Sequence, residues 1–230
     1  MYKGQKISVV IPCYNEEDGI KTVMADMPYF VDEVVVVDNN STDRTAEIAQ
    51  ELGTVVVFEP KQGYGAAYKA GFRRAEGDII VTMDGDGNYP RNFIPVLLDI
   101  MFDEDIDFIS CDRTGHKSRP SPFLRVFGNW VLGIVMALLF FIKLRDSQTG
   151  MWVFKRYLLD QMELTSDEMA FSEEIKIEAF TNKRIKAQEL PIYCKNRVGD
   201  SKLRMWHDGF ANLLFLFKKR TMTLSSNHGS

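Results

Sequence analysis

The chain has 230 residues, with 28 lysines and arginines, 32 aspartates and glutamates, and three cysteines. This length predicts a single domain with a substantial hydrophobic core. A composition of 45% hydrophobic and 26% charged residues excludes a disordered chain and a coiled coil. The formal net charge of −4 disfavours a nucleic-acid binder, which would normally be basic.

The cysteines and the first residues bear on the cellular compartment. Cys13, Cys111 and Cys194 lie far apart without CxxC spacing, so the sequence predicts no zinc or redox motif and favours a reducing compartment. The opening MYKGQKISVV enters a strand without the apolar block of a signal peptide. An intracellular protein is therefore expected, and contact with a membrane stays undecided at this point.

The first half alternates strand-like and helix-like segments. Short β-branched runs predict buried strands at residues 7–11, 34–37, 54–58, 79–83 and 108–111. Helices are predicted between them, near residues 19–25, 43–52, 66–75 and 93–102. The second helix has a start signal in Ser41 and Thr42 and a stop at Gly53. This alternation predicts a mostly parallel sheet with helices on both faces, and ligands that bind where the strands end.

The second half contains two apolar segments. No residue between Arg125 and Lys143 is charged, and these 17 residues would form a helix of roughly 25 Å, short of a ~30 Å hydrocarbon layer. A second stripe recurs at helical spacing before a basic end: Leu203, Trp206, Phe210, Leu213, Leu214, Phe217, then Lys218, Lys219 and Arg220. Each stripe alone favours core packing, whereas the pair favours membrane-interface helices at about 123–143 and 203–219. A flexible tail is expected at 221–230.

The sequence MDGDGN, residues 83–88, follows an apolar strand. Asp84 and Asp86 can place two carboxylates around one divalent ion that is bound to a diphosphate, and Asn88 can add a third oxygen. Oxygen ligands indicate Mg²⁺ or Mn²⁺ rather than zinc. Paired aspartates are also common in turns, but their position after a buried strand favours the metal site.

Polar residues follow two further strands. IPCYNEE contains Pro12, Tyr14 and Glu16, and VDNNSTDRT contains Asp38 and Asn39. An aromatic face beside hydrogen-bonding groups suits a nucleoside, although the same residues are frequent in turns. KQGYG, which begins at Lys61, can bring backbone amides near a phosphate. The P-loop and Rossmann fingerprints are absent from the sequence.

These motifs, in this order, resemble the family 2 glycosyltransferases of GT-A fold over roughly residues 7–112. Farther along, RDSQTGMWVFKR, FSEE and RVGDSK look like the branch that glycosylates polyprenyl phosphates, such as dolichol-phosphate-mannose synthase. DSQTGMWVF and MAFSEEIKIEAF are most similar to archaeal dolichyl-phosphate sugar synthases. The resemblance implies one catalytic GT-A domain, with a nucleotide-sugar half at 1–112 and an acceptor half at 113–220.

The resemblance also implies roles for individual residues. Nucleotide-sugar contacts fall on Pro12, Tyr14, Glu16, Asp38, Asn39, Lys61, Asp84, Gln148 and Glu174. The metal falls on Asp84, Asp86 and Asn88, and the acceptor phosphate on Arg113, Arg125, Asn129, Arg197, Ser201 and Lys202. Direct catalytic roles are implied for Asp84, Asp86, Arg197 and Lys202. Many relatives have a second aspartate where this chain has Asn39, which leaves uracil and guanine both open, with a UDP-sugar favoured over GDP-mannose.

The expected reaction is an inverting transfer of the sugar to a polyprenyl or dolichyl phosphate at the cytoplasmic face of a membrane. A lipid phosphate is already ionised at pH 7 and needs no general base, whereas arginines can hold it. One alternative is transfer to a saccharide or protein hydroxyl, with Glu174 or Asp112 as the base. Another is a non-catalytic nucleotide-sugar-binding module at the membrane surface. The apolar helices also make self-association plausible.

Overall fold

The computed structural model describes residues 1–114, 123–195, 197–198 and 205–226. It contains seven strands: β1 (Ile7–Cys13), β2 (Glu33–Asp38), β3 (Val55–Phe58), β4 (Ile79–Thr82), β5 (Phe108–Asp112), β6 (Trp152–Lys155) and β7 (Ala187–Pro191). The helices are α1 (Glu17–Ala25), α2 (Thr45–Glu51), α3 (Tyr64–Arg74), α4 (Ile94–Asp103), α5 (Phe123–Phe140), α6 (Phe171–Thr181) and α7 (Met205–Ser226). Short 3₁₀ turns lie at Arg91–Phe93 and Arg156–Gln161.

All seven strands form one sheet in the order β3-β2-β1-β4-β6-β5-β7. β1 to β4 are mutually parallel where they pair, and β5 pairs in parallel with β7. β6 runs antiparallel to both of its neighbours. The expectation of a mostly parallel α/β sheet flanked by helices is therefore confirmed, and β6 and β7 are additions that the strand pattern did not predict.

The β-branched runs are buried because helices cover both faces of the sheet. Successive strand side chains point to opposite faces. In β1, Val9 and Ile11 belong to a core cluster with residues of α1, α2 and α4, whereas Val10 belongs to a second cluster with residues of α3 and α6. This sandwiching explains why these strands read as continuous apolar runs rather than as alternating patterns.

Helices α5 and α7 each bury one face in a third cluster. Leu132, Met136 and Phe140 of α5 pack with Leu216 of α7 and Ile177 of α6. The core-packing interpretation is thus correct for these faces. The opposite faces are exposed, with large side chains at Phe127, Trp130, Ile134, Leu138, Phe210, Leu214 and Phe217. Among the described residues, no helix is both long and apolar enough to cross a membrane.

Several predicted boundaries differ from the structure. α5 ends at Phe140, and α7 continues to Ser226, into the segment that was predicted to be a tail. α2 begins at Thr45 rather than after Ser41 and Thr42. The Asp43 carboxylate accepts a hydrogen bond from the Thr45 backbone N–H at 3.0 Å, so this aspartate satisfies one backbone donor at the start of α2. The hydroxyl of Ser41 instead accepts one from the Asn15 backbone.

Candidate active site

The loops that follow β1, β2 and β4 emerge side by side at one edge of the sheet. The parallel register places Cys13 opposite Asp38 and Val10 opposite Thr82. The carboxyl ends of these strands therefore coincide, as they do in the ligand sites of other open α/β sheets. This brings together the three polar segments that the sequence analysis assigned to the nucleotide sugar.

The acidic loop after β4 is tightly braced. The Asn88 backbone N–H donates to Asp86 Oδ1 at 2.9 Å, and the Tyr64 hydroxyl donates to Asp84 Oδ1 at 3.2 Å. Helix α1 packs directly on this loop, because a Cβ at Gly19 would lie 2.3 Å from the Gly85 carbonyl oxygen. Tyr64 belongs to the KQGYG motif, but its contact with Asp84 was not foreseen from the sequence.

The electrostatics of this loop fit a divalent cation. Burial and the neighbouring Asp86 carboxylate raise the pKa of Asp84 to about 7. The buried Asn88 Oδ1 has no hydrogen-bond partner among the described residues. A dication would relieve the repulsion between the Asp84 and Asp86 carboxylates and accept the Asn88 amide oxygen as a ligand. Among the described residues, no three or more histidine, cysteine or acidic side chains are arranged to hold a metal ion by themselves. A dication here would therefore take further oxygen ligands from a diphosphate or water.

Lys195, Arg197 and Val198 lie against the acidic loop. The Lys195 backbone N–H donates to the Asn88 carbonyl and the Val198 backbone N–H to the Asp86 carbonyl, both at 2.8 Å. Arg197 Nη2 lies 3.3 Å from Asp86 Oδ2. The guanidinium that was expected at the acceptor phosphate thus lies against a predicted metal ligand. Ser201 and Lys202, also predicted for the acceptor, lie outside the described residues.

The nucleotide-side residues divide into two groups. Pro12, Tyr14, Glu16 and Asp38 lie along the strand ends; Tyr14 is partly exposed, and Asp38 accepts from the Ser41 backbone N–H at 3.1 Å. Asn39 uses both polar atoms of its side chain on the backbone of residues 59–63. Lys61 pairs with Asp167. In this structure Asn39 therefore supports the loop that contains Lys61.

The DSQTG segment, residues 146–150, lies behind the acidic loop. Gly150 has no room for a side chain, since a Cβ there would lie 2.0 Å from the Tyr64 hydroxyl and 2.9 Å from Asp84 Oδ1. Its peptide is held by hydroxyls: the Gly150 N–H donates to Tyr89 at 2.7 Å, and its carbonyl accepts from Thr82 at 2.8 Å. The segment and the acidic loop are therefore packed as one unit.

Asp146 gathers two residues that were predicted to hold the acceptor phosphate. It accepts hydrogen bonds from Arg113 Nε at 2.6 Å and Nη2 at 2.9 Å, and from Asn129 Nδ2 at 3.2 Å. Although burial opposes ionisation, the Arg113 guanidinium lowers the pKa of Asp146 to about 2. Asp146 had no assigned role; its place in the quoted DSQTG motif was the available signal. Of Arg125 only the backbone, in α5, is described.

The two glutamates of FSEE have different surroundings. Glu174, expected near the sugar, accepts from the backbone N–H groups of Thr165 and Ser166 and pairs with Lys219 at 3.1 Å. Glu173 instead contacts Gln148, with 2.6 Å between its Oε1 and Gln148 Nε2. The structure therefore places the neighbouring glutamate beside the DSQTG segment, and Glu174 anchors α7.

The fold belongs to the GT-A class of nucleotide-sugar-binding folds. Glucosyl-3-phosphoglycerate synthase from Mycobacterium tuberculosis, solved in complex with uridine diphosphate, superposes with a TM-score of 0.75 at 20% identity, over 95% of this chain and 81% of that chain. Its complex with Mn²⁺, UDP-glucose and phosphoglyceric acid gives 0.73 at 21% identity, over 94% and 80% of the two chains.

Residues 8–162 match the glycosyl transferase family 2 profile, and the chain belongs to this family of glycosyltransferases. It is 34% identical over 213 residues to a dolichyl-phosphate hexose transferase of Haloferax volcanii, which covers 91% of this chain and 92% of that protein. It is 32% identical over 213 residues to a dolichol-phosphate mannosyltransferase of Pyrococcus furiosus, over 86% of this chain. The chain spans 59% of that second relative.

Proposed function

We propose that the protein transfers a hexose from a nucleotide sugar to a polyprenyl or dolichyl phosphate, with inversion at the anomeric carbon. The observation that carries the proposal is the acid pair Asp84 and Asp86 at the end of β4, with the Arg197 guanidinium 3.3 Å from Asp86. Groups that can bind a dication and a group that can bind an anion therefore lie side by side. The names of the Haloferax and Pyrococcus relatives support a dolichyl-phosphate acceptor.

Asp84, Asp86 and Asn88 would hold Mg²⁺ or Mn²⁺ in this proposal. An ion held there would supply Lewis-acid stabilisation of the leaving diphosphate. Arg197 supplies a positive charge beside Asp86, and Arg113 remains partly exposed while it pairs with Asp146. Ser201, Lys202, Arg125 and Asn129 complete the proposed acceptor-phosphate set. An ionised phosphate oxygen attacks the anomeric carbon directly, so no residue has to remove a proton from it.

The donor favoured by this site is a UDP-sugar such as UDP-glucose or UDP-N-acetylglucosamine, with GDP-mannose as the alternative. Asn39 is an amide and therefore offers no second carboxylate to the nucleotide base. Both polar atoms of its side chain are also engaged by the backbone of residues 59–63. The fold neighbours were solved with uridine nucleotides, which is consistent with this choice.

The exposed faces of α5 and α7 support attachment to a membrane surface. Trp130 is 60% exposed, Leu138 71% and Phe141 84%, and Phe210, Leu214 and Phe217 of α7 are also exposed. Exposed basic side chains flank them at Lys143, Arg145 and Lys218. Apolar side chains with a basic rim suit an anionic lipid surface, where a lipid phosphate would be presented. We assign this surface to the cytoplasmic face.

Transfer to a hydroxyl acceptor would require a general base. Glu174 is engaged with Lys219 and two backbone amides, which removes one of the two bases that the sequence offered. The other, Asp112, is buried, accepts from the Thr114 backbone N–H and lies 4.0 Å from Arg145. The engagement of Glu174 and the burial of Asp112 favour the phosphate acceptor.

The test is a panel of UDP- and GDP-sugars with a short polyprenyl phosphate, scored by the mass of the lipid product. We expect one donor to yield a lipid-phosphate-linked sugar, with loss of product on chelation and recovery with Mg²⁺ or Mn²⁺. Soluble saccharides are included as competing acceptors. Glycosylation of a saccharide alone, or the absence of lipid product with every donor, would contradict the proposal.

A further inference from the structure

The first turn of α6 carries two adjacent glutamates that are both fully buried. Burial of a carboxyl group is costly unless hydrogen bonds or an opposite charge compensate for it. Glu174 meets this requirement through Lys219 and the amides of Thr165 and Ser166. Glu173 meets it at only one of its two oxygens, because its Oε2 is buried with no hydrogen-bond partner among the described residues. This difference calls for an explanation specific to Glu173.

Glu173 belongs to a triangle of side chains from three elements. Its Oε1 accepts from Gln148 Nε2 at 2.6 Å and from Asn212 Nδ2 of α7 at 3.3 Å. Asn212 Nδ2 also lies 3.2 Å from Gln148 Oε1. Each group therefore contacts the other two, and helix α7 takes part in holding the DSQTG segment.

With the Asn212 amide as it stands and Glu173 Oε1 as an acceptor, the triangle favours one orientation of the Gln148 amide. Asn212 donates to Gln148 Oε1, and Gln148 Nε2 donates to Glu173 Oε1. Rotation of this amide by half a turn would place two NH₂ groups face to face and two oxygens face to face. Gln148 lies two residues before Gly150, whose Cα packs against Asp84 and Tyr64. The orientation is thus set beside the acidic loop.

The protonation of Glu173 agrees with this geometry. Burial raises the pKa of Glu173 to about 8, although Lys176 of the same helix favours the charged form. The facing groups from the DSQTG segment and from α7, Gln148 and Asn212, are neutral amides. A neutral carboxyl group has one accepting oxygen, which the two amides share, and one hydroxyl, at Oε2.

We propose that Glu173 is a positioning residue of the donor site, which acts as a neutral acid and, with Asn212, holds the Gln148 amide in the orientation that receives the sugar. The inference rests on the proposed function, since it takes Gln148 as a sugar-side residue. It replaces Glu174 by Glu173 in the donor site and makes the docking of α7 part of donor recognition.

The experiment compares E173A, E173Q and N212A with the wild-type protein in steady-state transfer from pH 6 to 10. We expect E173A and N212A to raise the donor KM about tenfold, with a smaller change in kcat, because the Gln148 amide is no longer oriented. E173Q restores the wild-type donor KM at pH 7, since glutamine reproduces the shape of the neutral acid. Wild-type donor KM should rise above about pH 8 as Glu173 ionises, and E173Q should remove this rise.

The control is E51Q, the same chemical change at an exposed position at the end of α2. It should leave the donor KM and its pH profile unchanged. If E173A and N212A match the wild type, or if E173Q retains the alkaline rise in KM, the inference is wrong. A lack of activity of E173Q at every pH would equally contradict a neutral acid.

Failure of the proposed function is distinguishable from failure of this inference. If the wild-type protein forms no lipid-linked sugar, calorimetry of UDP-glucose binding with Mn²⁺ still compares the variants. E173A and N212A should then bind the donor about tenfold more weakly than the wild type and E51Q. Equal affinities would overturn the inference whatever the acceptor proves to be.

Discussion

At the scale of single residues, the proposed chemistry depends on the acid pair after β4. Asp86 is almost fully buried, and its two oxygens face the Asn88 backbone and Arg197. Asp84 is held by Tyr64 from one side and packs against Gly150. These contacts within the protein hold the loop in one shape, which lowers the cost of ordering the site.

Asp86→Ala should abolish sugar transfer and metal-dependent nucleotide binding. The substitution removes one of the two carboxylates and leaves Arg197 without its acidic partner. Calorimetry of UDP binding with and without Mn²⁺ provides the measurement, and Asp18→Ala, at an exposed position on α1, is the control. Retention of Mn²⁺-dependent UDP binding by the Asp86 variant would exclude this residue as a ligand.

Tyr64→Phe should weaken metal binding without unfolding the protein. The lost hydrogen bond to Asp84 Oδ1 favoured the ionised carboxylate, and a bond of this kind contributes roughly 1 kcal/mol, or about fivefold in affinity. Titration of Mn²⁺ followed by electron paramagnetic resonance would report the change. Tyr157→Phe, which loses a hydrogen bond to the distant Asp107, should bind Mn²⁺ like the wild type.

At the scale of elements, α7 packs on α5 and α6 and has one buried and one exposed face. Its buried face contributes Asn212, Leu216 and Lys219, at spacings of three and four residues, and its opposite face carries Phe210, Leu214 and Phe217. Lys219 lies within 3.1 Å of Glu174 and 2.7 Å of Glu178. The same helix thus contacts the core of the domain and offers an apolar surface.

Lys219→Met should lower the free energy of unfolding by about 3 kcal/mol, because it leaves the buried Glu174 without its positive partner. Urea denaturation is the measurement. Lys218→Met, at the exposed neighbouring position, should stay within about 0.5 kcal/mol of the wild type. Glu174→Gln combined with Lys219→Met should recover part of the loss, and an additive effect would rule out the pair as its cause.

Phe141 gives a sharp test of the proposed membrane surface. It is 84% exposed and has a φ of +60°, a backbone conformation that favours glycine. Phe141→Gly should therefore weaken binding to anionic vesicles severalfold while stability is unchanged or increased. Sedimentation with phosphatidylglycerol vesicles and urea denaturation measure the two effects. Phe58→Ser, which also removes an exposed phenyl ring but from β3, is the matched control. If both variants bind vesicles equally well, the proposed membrane surface is wrong.

At the scale of the whole molecule, a buried titratable group makes the free energy of unfolding depend on pH. The pKa of Glu173, about 8 in the fold against an ordinary 4.5, favours the protonated folded state. Its contribution is fully present below pH 4.5 and is lost as the pH rises toward 8, by an amount on the order of a few kcal/mol. E173Q should thus be more stable than the wild type at pH 9 and differ less at pH 5, as measured by urea midpoints. A constant difference between these pH values would contradict the raised pKa.

Much of the fold could be predicted because it depends on local pattern. The strands β1 to β5 are short β-branched runs, and a parallel sheet follows from their alternation with helices. β6 and β7 were missed for opposite reasons. β6 (Trp152–Lys155) lay inside a motif that was considered only for its chemistry, and β7 (Ala187–Pro191) is polar and only partly buried.

The residues of the candidate site also divide into those that the sequence pattern identified and those whose contacts it did not show. Asp84 and Asp86 were found because paired acids after a buried strand have a clear chemical meaning. Arg113 and Asn129 were assigned to a phosphate, yet both contact Asp146. Their partner comes from a segment 17 or more residues away in sequence, and pairings across that distance leave no periodic signal.

The sequence by itself determined the family, the α/β sheet and the acidic loop at the end of β4. These depend on residue types at fixed spacings and on the rule that parallel strands end at one edge. Only the tertiary structure decided which glutamate faces Gln148 and which anchors α7. Adjacent residues of a helix point about 100° apart. The sequence pattern does not show which of the two glutamates faces which neighbour. The packing of α7 on α6 determines their partners, because it places Asn212 beside Glu173 and Lys219 beside Glu174.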